Sequence, residues 1–294
     1  MPSGHEAAAP ADLWVIEPRQ HGLLYRAREL WHYRYLWWYF AKDTLTSLYR
    51  RSKLGWLWLV MRALAPVGLN GLFVGGVLGA GEDLPVPYTV FLLSGMATWV
   101  LFERSLIYVT RSLERNRKLV TKIYFPRLIL PMAAVAPGLL FFAVLMVAFI
   151  AVVIVYHQQP EGVWYVTLRP QLLFALVAVV MSLALTVAVG LWTSVFQARF
   201  RDVRYGLRYT LPFGLFFTPI LWPPDLLGDR EWLLVFNPLW PIVKTFRWAT
   251  LGSFPYFEAP TPVEMGASIS LIALVLIAGM WFFNREESAS IDKL

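Results

Sequence analysis

The side chains in this sequence best suited to polar work are basic, and they stand in a few dense places. Residues 111–127, RSLERNRKLVTKIYFPR, carry Arg111, Arg115, Arg117, Lys118, Lys122 and Arg127. Arg50, Arg51 and Lys53 form a second group within YRRSKLGWLW, and Arg62 follows inside an apolar run. Guanidinium and ammonium groups at the edge of an apolar segment attract anionic phospholipid headgroups, so membrane lipids are expected partners. Lys244 and Arg247 lie three apart, on one helical face. Catalysis has no comparable footing. The chain lacks GxxxxGK[ST], GxSxG and HExxH patterns, and Asp43, Glu103, Glu114 and Asp202 are scattered rather than paired. There is no cysteine, and His5, His21, His32 and His157 show no metal-ligand spacing. No catalytic residue, no metal site and no cofactor bound by this chain are therefore expected. Nucleic acid is not an expected partner despite the formal charge of +7, because the basic residues stand beside apolar runs and no recognition motif accompanies them.

The elements that must position these residues are membrane helices. Of 294 residues, 58% are hydrophobic and 15% charged, and the mean hydropathy is +0.55, which predicts an all-α polytopic membrane protein. A crossing needs about 20 apolar residues. Such runs fall at 57–79, 88–108, 130–156, 172–196 and 265–283. A fifth hydrophobic region in chain order, 209–223, is short and carries Pro212, Pro219 and Pro223. The stretch 224–261 after it, with Pro238, Pro241, Lys244 and Arg247, reads as re-entrant, since charge and broken backbone survive at membrane depth only against protein or a wet cavity. Six transmembrane segments result. Basic residues number eight before the first span, six in 111–127, four in 199–208 and two after the last span, against four in the other loops. Positive charge resists translocation, so the first set lies inside and both termini are cytoplasmic. No removable signal peptide is expected, because residues 1–55 hold no apolar h-region.

Three regions follow: an irregular segment at 1–22, a cytoplasmic interfacial helix with its elbow at 23–55, and a transmembrane domain at 56–294. In the interfacial helix Leu30, Tyr33, Trp37, Phe40, Ala41, Leu45 and Leu48 recur at three and four, with Trp and Tyr suited to the headgroup layer. Gly55 provides the bend into the first span. Arg62 lies about 8 Å inside that span at 1.5 Å per residue, so it must snorkel or face a polar interior. In 111–127 the apolar Leu119, Val120, Ile123, Tyr124 and Phe125 interrupt the charge, and Pro126 stops the helix, which predicts a short helix that docks in the cytosol. Tyr209, Phe213, Phe216 and Phe217 share one helical face, which packing, lipid contact or a polar conduit would each accommodate.

Tyr49-Arg50-Arg51-Ser52-Lys53-Leu54-Gly55-Trp56, Phe125-Pro126-Arg127, Arg201-Asp202-Val203 and Asn237-Pro238 stand in this order at matching topological positions. In this the chain resembles ABC-2 type permeases of polysaccharide export, with O-antigen exporters the nearest subgroup and capsule and teichoic-acid exporters related. Trp14 to Gly22 and Arg28-Glu29-Leu30-Trp31 are similar to that subgroup's amino-terminal approach. The resemblance implies a homodimer in the bacterial inner membrane with a channel at its interface, and two copies of an ABC ATPase subunit that bind ATP and Mg. It implies a glycan carried on undecaprenyl diphosphate as substrate. On that basis Arg50, Arg51, Lys53 and Arg62 are the candidates for the diphosphate. Tyr209, Phe213, Phe216 and Phe217 become channel-lining rings that stack on sugars. Glu114, Arg115, Asn116 and Arg117 become ATPase contacts on a coupling helix, and Lys244 and Arg247 flank the outer exit. An ABC-2 permease for teichoic acid, capsule, a drug or a lipid is the alternative.

Overall fold

The computed structural model describes residues 30–50, 53–120, 122, 125–160, 162–166 and 168–291. Residues 1–22, the start of the interfacial helix at 23–29, Arg51, Ile123 and Tyr124 lie outside the described set. In chain order the helices are α1 (Arg34–Thr46), α2 (Trp56–Asn70), α3 (Tyr88–Thr110), the short α4 (Ser112–Arg115) and α5 (Arg117–Val120), α6 (Ile129–Ala133), α7 (Ala136–His157), α8 (Leu173–Arg199), α9 (Asp202–Phe217), α10 (Leu239–Leu251) and α11 (Pro262–Ile291). A π-helical stretch, Gly71–Val77, extends α2, and 3-10 turns occupy Pro170–Leu172 and Pro224–Phe236. Among the described residues five helical stretches are long and apolar enough to cross a membrane: Trp56–Val77, Tyr88–Thr110, Ile129–His157, Pro170–Arg199 and Pro262–Glu286.

The core is built around α3, which is enclosed by α7, α8, α10, α2 and α9. Lipid tails are as apolar as leucine, so burial alone does not drive such helices together; close packing does. Small residues supply it. A side chain on Gly138 of α7 would run into Ser105 and the Leu101 carbonyl of α3, and one on Gly190 of α8 would run into Val109. Phe91, Leu92, Met96, Leu101 and Leu106 fill the remaining space and are fully buried. By contrast α2 is peripheral: Leu57, Met61, Leu69, Leu72 and Phe73 are all exposed on it. The elbow bend falls at Gly55, whose φ of 49° is a conformation that side chains disfavour. Helix α1 buries Phe40, Ala41 and Thr44 against α6 and α7, and Trp37, expected on its apolar side, stays exposed.

The expected crossing at 209–223 takes a different form. Helix α9 begins earlier, at Asp202, and ends at Phe217. Thr218, ahead of Pro219, is extended (φ −106°, ψ 133°), because the proline ring disfavours helical backbone in the residue before it. Sixteen residues reach about 24 Å, and Arg204, Tyr205 and Arg208 make the first two turns too polar to count as a span. The path of the chain is nevertheless fixed by its neighbours. Trp192 Nε1 of α8 donates to the Val275 carbonyl of α11 (3.2 Å), and Arg199 at the end of α8 pairs with Glu286 near the end of α11. These two helices therefore run parallel, and the chain between them returns from one end of the bundle to the other.

Candidate functional site

Helix α9 has two unlike faces. Leu211 and Leu215 are buried, and Gly214 lies so close to the Trp99 ring of α3 that a Cβ there would sit 2.8 Å from it. On the opposite side Tyr209, Phe213, Phe216 and Phe217 are 57% to 76% exposed, with Tyr205 in line one turn earlier. The spacing 205, 209, 213, 216 is that of one helical face, so the rings form a continuous aromatic stripe that the described residues leave exposed.

A polar joint holds the upper end of this stripe. A helix leaves its last carbonyls without intrahelical donors, and here side chains from distant segments supply them. Trp222 Nε1 donates to the Phe216 carbonyl (3.0 Å) and Asn237 Nδ2 to the Phe217 carbonyl (3.2 Å) and Thr218 Oγ1 (2.9 Å). Asn237 Oδ1 also accepts from the Leu239 amide (3.0 Å), which starts α10. Arg247 of α10, only 3% exposed, donates from Nη1 to the Pro219 carbonyl (2.5 Å) and from Nη2 to the Ile220 carbonyl (3.0 Å). Longer contacts of 3.4 Å reach the Phe91 carbonyl and Ser94 Oγ of α3, and the guanidinium lies 3.7 Å from the centre of the Phe91 ring. Burial pulls the Arg247 pKa down to about 9, against the opposing fields of Tyr256 and Tyr88, so the group is charged at neutral pH. Tyr88 Oη donates to the Leu221 carbonyl (2.7 Å) and completes the joint. In the sequence Lys244 and Arg247 share one helical face, and the resemblance puts both at the outer exit. In the structure Arg247 is committed to backbone, and Lys244 Nζ is bonded to both oxygens of Glu264 (3.1 Å each). Both still border a 280 Å³ cavity, with Asp225, Trp240 and Tyr256 on its other walls. Burial and the neighbouring Asp225 push the Tyr256 phenol up, so it stays neutral.

At the opposite, basic end, Glu114, Arg115, Asn116 and Arg117 gather around one open cleft of 450 Å³ that α1 completes with Tyr39, Phe40 and Asp43. Arg115 Nη2 is 3.0 Å from Asp43 Oδ2 of α1, Gln197 Nε2 of α8 donates to Glu114 Oε2 (3.0 Å), and Asn116 Nδ2 donates to the Ser112 carbonyl (2.9 Å). Phe125, at the far end of the loop, packs on Phe40 with ring centres 5.6 Å apart. The loop is thus tied to α1 and α8 together. Of the elbow group, Arg50 and Lys53 are exposed, and Arg62 is exposed on α2.

No protein-family profile matches the chain. It is 26% identical over 267 residues to an O-antigen export system permease protein RfbA from Myxococcus xanthus, covering 89% of this chain and 97% of that protein. Two proteins of the same description from Klebsiella pneumoniae are 26% identical over 201 residues (68% of this chain, 73% of the relative) and 24% identical over 239 (81% and 86%). The chain is related to O-antigen export permeases. With its five apolar helices, such a permease-like chain is a multi-pass membrane protein, and the helical stripe, the joint and the basic cleft are features of that permease-like body. The joint places one landmark of the resemblance, Asn237-Pro238, against the end of α9, where Asn237 donates to Thr218 Oγ1.

Proposed function

We propose that this chain is the membrane-spanning subunit of an ATP-driven exporter that moves a lipid-linked polysaccharide of O-antigen type across a bacterial inner membrane. The bare aromatic stripe of α9, in a chain related to O-antigen export permeases, is the observation that carries the reading. Two copies assemble so that their stripes line a channel. Flat rings bind successive pyranose C–H faces weakly and without fixed hydrogen bonds, which suits a polymer that must slide. Two ATPase subunits, which bind ATP and Mg, dock at the cleft bordered by Glu114, Arg115, Asn116 and Arg117. Arg50, Arg51, Lys53 and Arg62 take the diphosphate of an undecaprenyl carrier at the elbow, and Lys244 flanks the outer exit. Helix α9 and the break after it form a sixth crossing, the 3-10 stretch and α10 are re-entrant outer elements, and both termini are cytoplasmic.

The test is ATP-dependent transport of a lipid-linked glycan by this chain reconstituted with its cognate ATPase. Phe213→Ala/Phe217→Ala is expected to lose transport while complex assembly and ATP hydrolysis persist, and Arg50→Ala/Arg51→Ala to lose substrate uptake. A stable, ATP-hydrolysing wild-type complex that moves no glycan would sink the reading.

A further inference from the structure

The cavity bordered by Arg247, at the end opposite the basic loop, has a wall of mixed chemistry. The 3-10 stretch, helix α10 and the turn before α11 enclose its 280 Å³. Three carboxylates reach it, Asp225, Glu231 and Glu258. Asp225 stands beside the Tyr256 phenol, and Glu231 and Glu258 have neither a hydrogen bond nor an ion pair among the described residues. The two cations on the wall are engaged but not saturated. An ammonium carries three N–H donors and a guanidinium five. Lys244 directs two at Glu264, and Arg247 makes four bonds, to Ser94, Pro219, Phe91 and Ile220. Each therefore keeps one donor, and Arg247 keeps it at 3% exposure. Buried donors are ordinarily satisfied, so one on a cavity wall calls for an acceptor from a ligand. The wall also selects by charge. An anion would meet three carboxylates, and like-charge contact is costly. A cation would meet Lys244 and Arg247, and the ring faces that could hold it are taken: Lys244 lies 5.8 Å from the centre of the Trp240 ring and Arg247 3.7 Å from that of Phe91. A neutral ligand with many hydroxyls and one apolar side fits every part of this wall.

We propose that this cavity binds one neutral pyranose residue. The Glu231 and Glu258 carboxylates accept from its hydroxyls through charge-assisted bonds, Arg247 and Lys244 donate to its oxygens, and Tyr256 and Phe257 face its C–H side. The volume, about nine waters' share at 30 Å³ each, suits a single ring rather than a length of polymer. The choice of a sugar among neutral polyols rests on the export reading, in which the cavity stands at the outer end and receives residues that leave the aromatic stripe.

The experiment is saturation-transfer-difference NMR of the full-length protein in detergent micelles. The methyl glycosides of glucose, galactose, mannose and rhamnose are titrated in separate arms, with choline and methyl phosphate as charged probes and empty micelles as the blank. At least one glycoside is expected to take up saturation, most strongly at its ring C–H protons, and neither charged probe to do so. Glu231→Gln and Glu258→Gln, both at exposed positions, are each expected to lower glycoside affinity about tenfold, the scale of one charge-assisted hydrogen bond. Asp83→Asn, an exposed carboxylate outside the cavity, is expected to leave it unchanged. No glycoside signal above the blank, equal affinity in wild type and both variants, or tighter binding of choline or methyl phosphate than of every glycoside overturns the proposal. The readout is binding without ATP, so the two readings fail separately. A chain that binds a glycoside but exports no glycan refutes the export reading alone, and one that exports a glycan but binds no glycoside refutes the site alone.

Discussion

Arg247→Met removes the guanidinium that joins α10, α3 and the break after α9 while keeping an unbranched apolar side chain in its place. The two close bonds, to Pro219 O at 2.5 Å and Ile220 O at 3.0 Å, are charge-assisted and each contributes about 1.5–3 kcal/mol. The desolvated contact with the Phe91 ring at 3.7 Å adds about 2 kcal/mol. Against this gross figure of roughly 5–8 kcal/mol stands the cost of holding a buried charge, several kcal/mol, which methionine does not incur. Methionine also leaves two buried carbonyls without donors, at about 1–3 kcal/mol each. A net loss of about 3 kcal/mol follows, which for a chain of this size is a fall in Tm of roughly 5 °C. The chain has no cysteine, so thiol dyes cannot report unfolding; circular dichroism at 222 nm of the detergent-solubilised protein can. Arg247→Lys should recover only part of the loss, since an ammonium reaches fewer acceptors than the planar fork. A Tm for Arg247→Met within a degree of wild type would refute the reasoning and make the joint a product of helix packing alone.

Asn237→Ala should cost about 1–2 kcal/mol by removing the donors to Phe217 O and Thr218 Oγ1 and the acceptor at the start of α10, read as a smaller Tm shift by the same measurement. Asn237→Asp should recover only the part due to the α10 cap. Gly138→Leu forces a side chain into Ser105 and the Leu101 carbonyl, so it should separate α7 from α3 and lower the yield of folded protein in size-exclusion chromatography; Ser105→Leu should do the same from the other side. Arg115→Asp should leave Tm nearly unchanged, because an exposed ion pair contributes at most about 1 kcal/mol. It should nonetheless weaken transport-coupled ATP hydrolysis, and Asp43→Arg/Arg115→Asp should restore it; an uncoupled double variant would argue against the tie between the loop and α1.

What the sequence determined by itself is what depends on neighbouring residues. Twenty apolar residues in a row are enough to predict a crossing, so the five helices long and apolar enough to span fall within a few residues of their expected positions. The positive φ of Gly55, the stop at Pro219 and the common face of Tyr209, Phe213, Phe216 and Phe217 are likewise local, set by backbone sterics and by 3.6-residue periodicity. The tertiary structure decided the rest. Helix α9 proved shorter than a span because its first turns are polar, and only the parallel packing of α8 and α11 shows that the chain must return beside them. The engagement of Arg247 could not be read from the sequence, because its partners are main-chain carbonyls 27, 28 and 156 positions away. Every residue has a carbonyl, so such partners leave no trace in residue types. Whether a charge is free or engaged is a property of its surroundings, and those exist only once distant helices have packed.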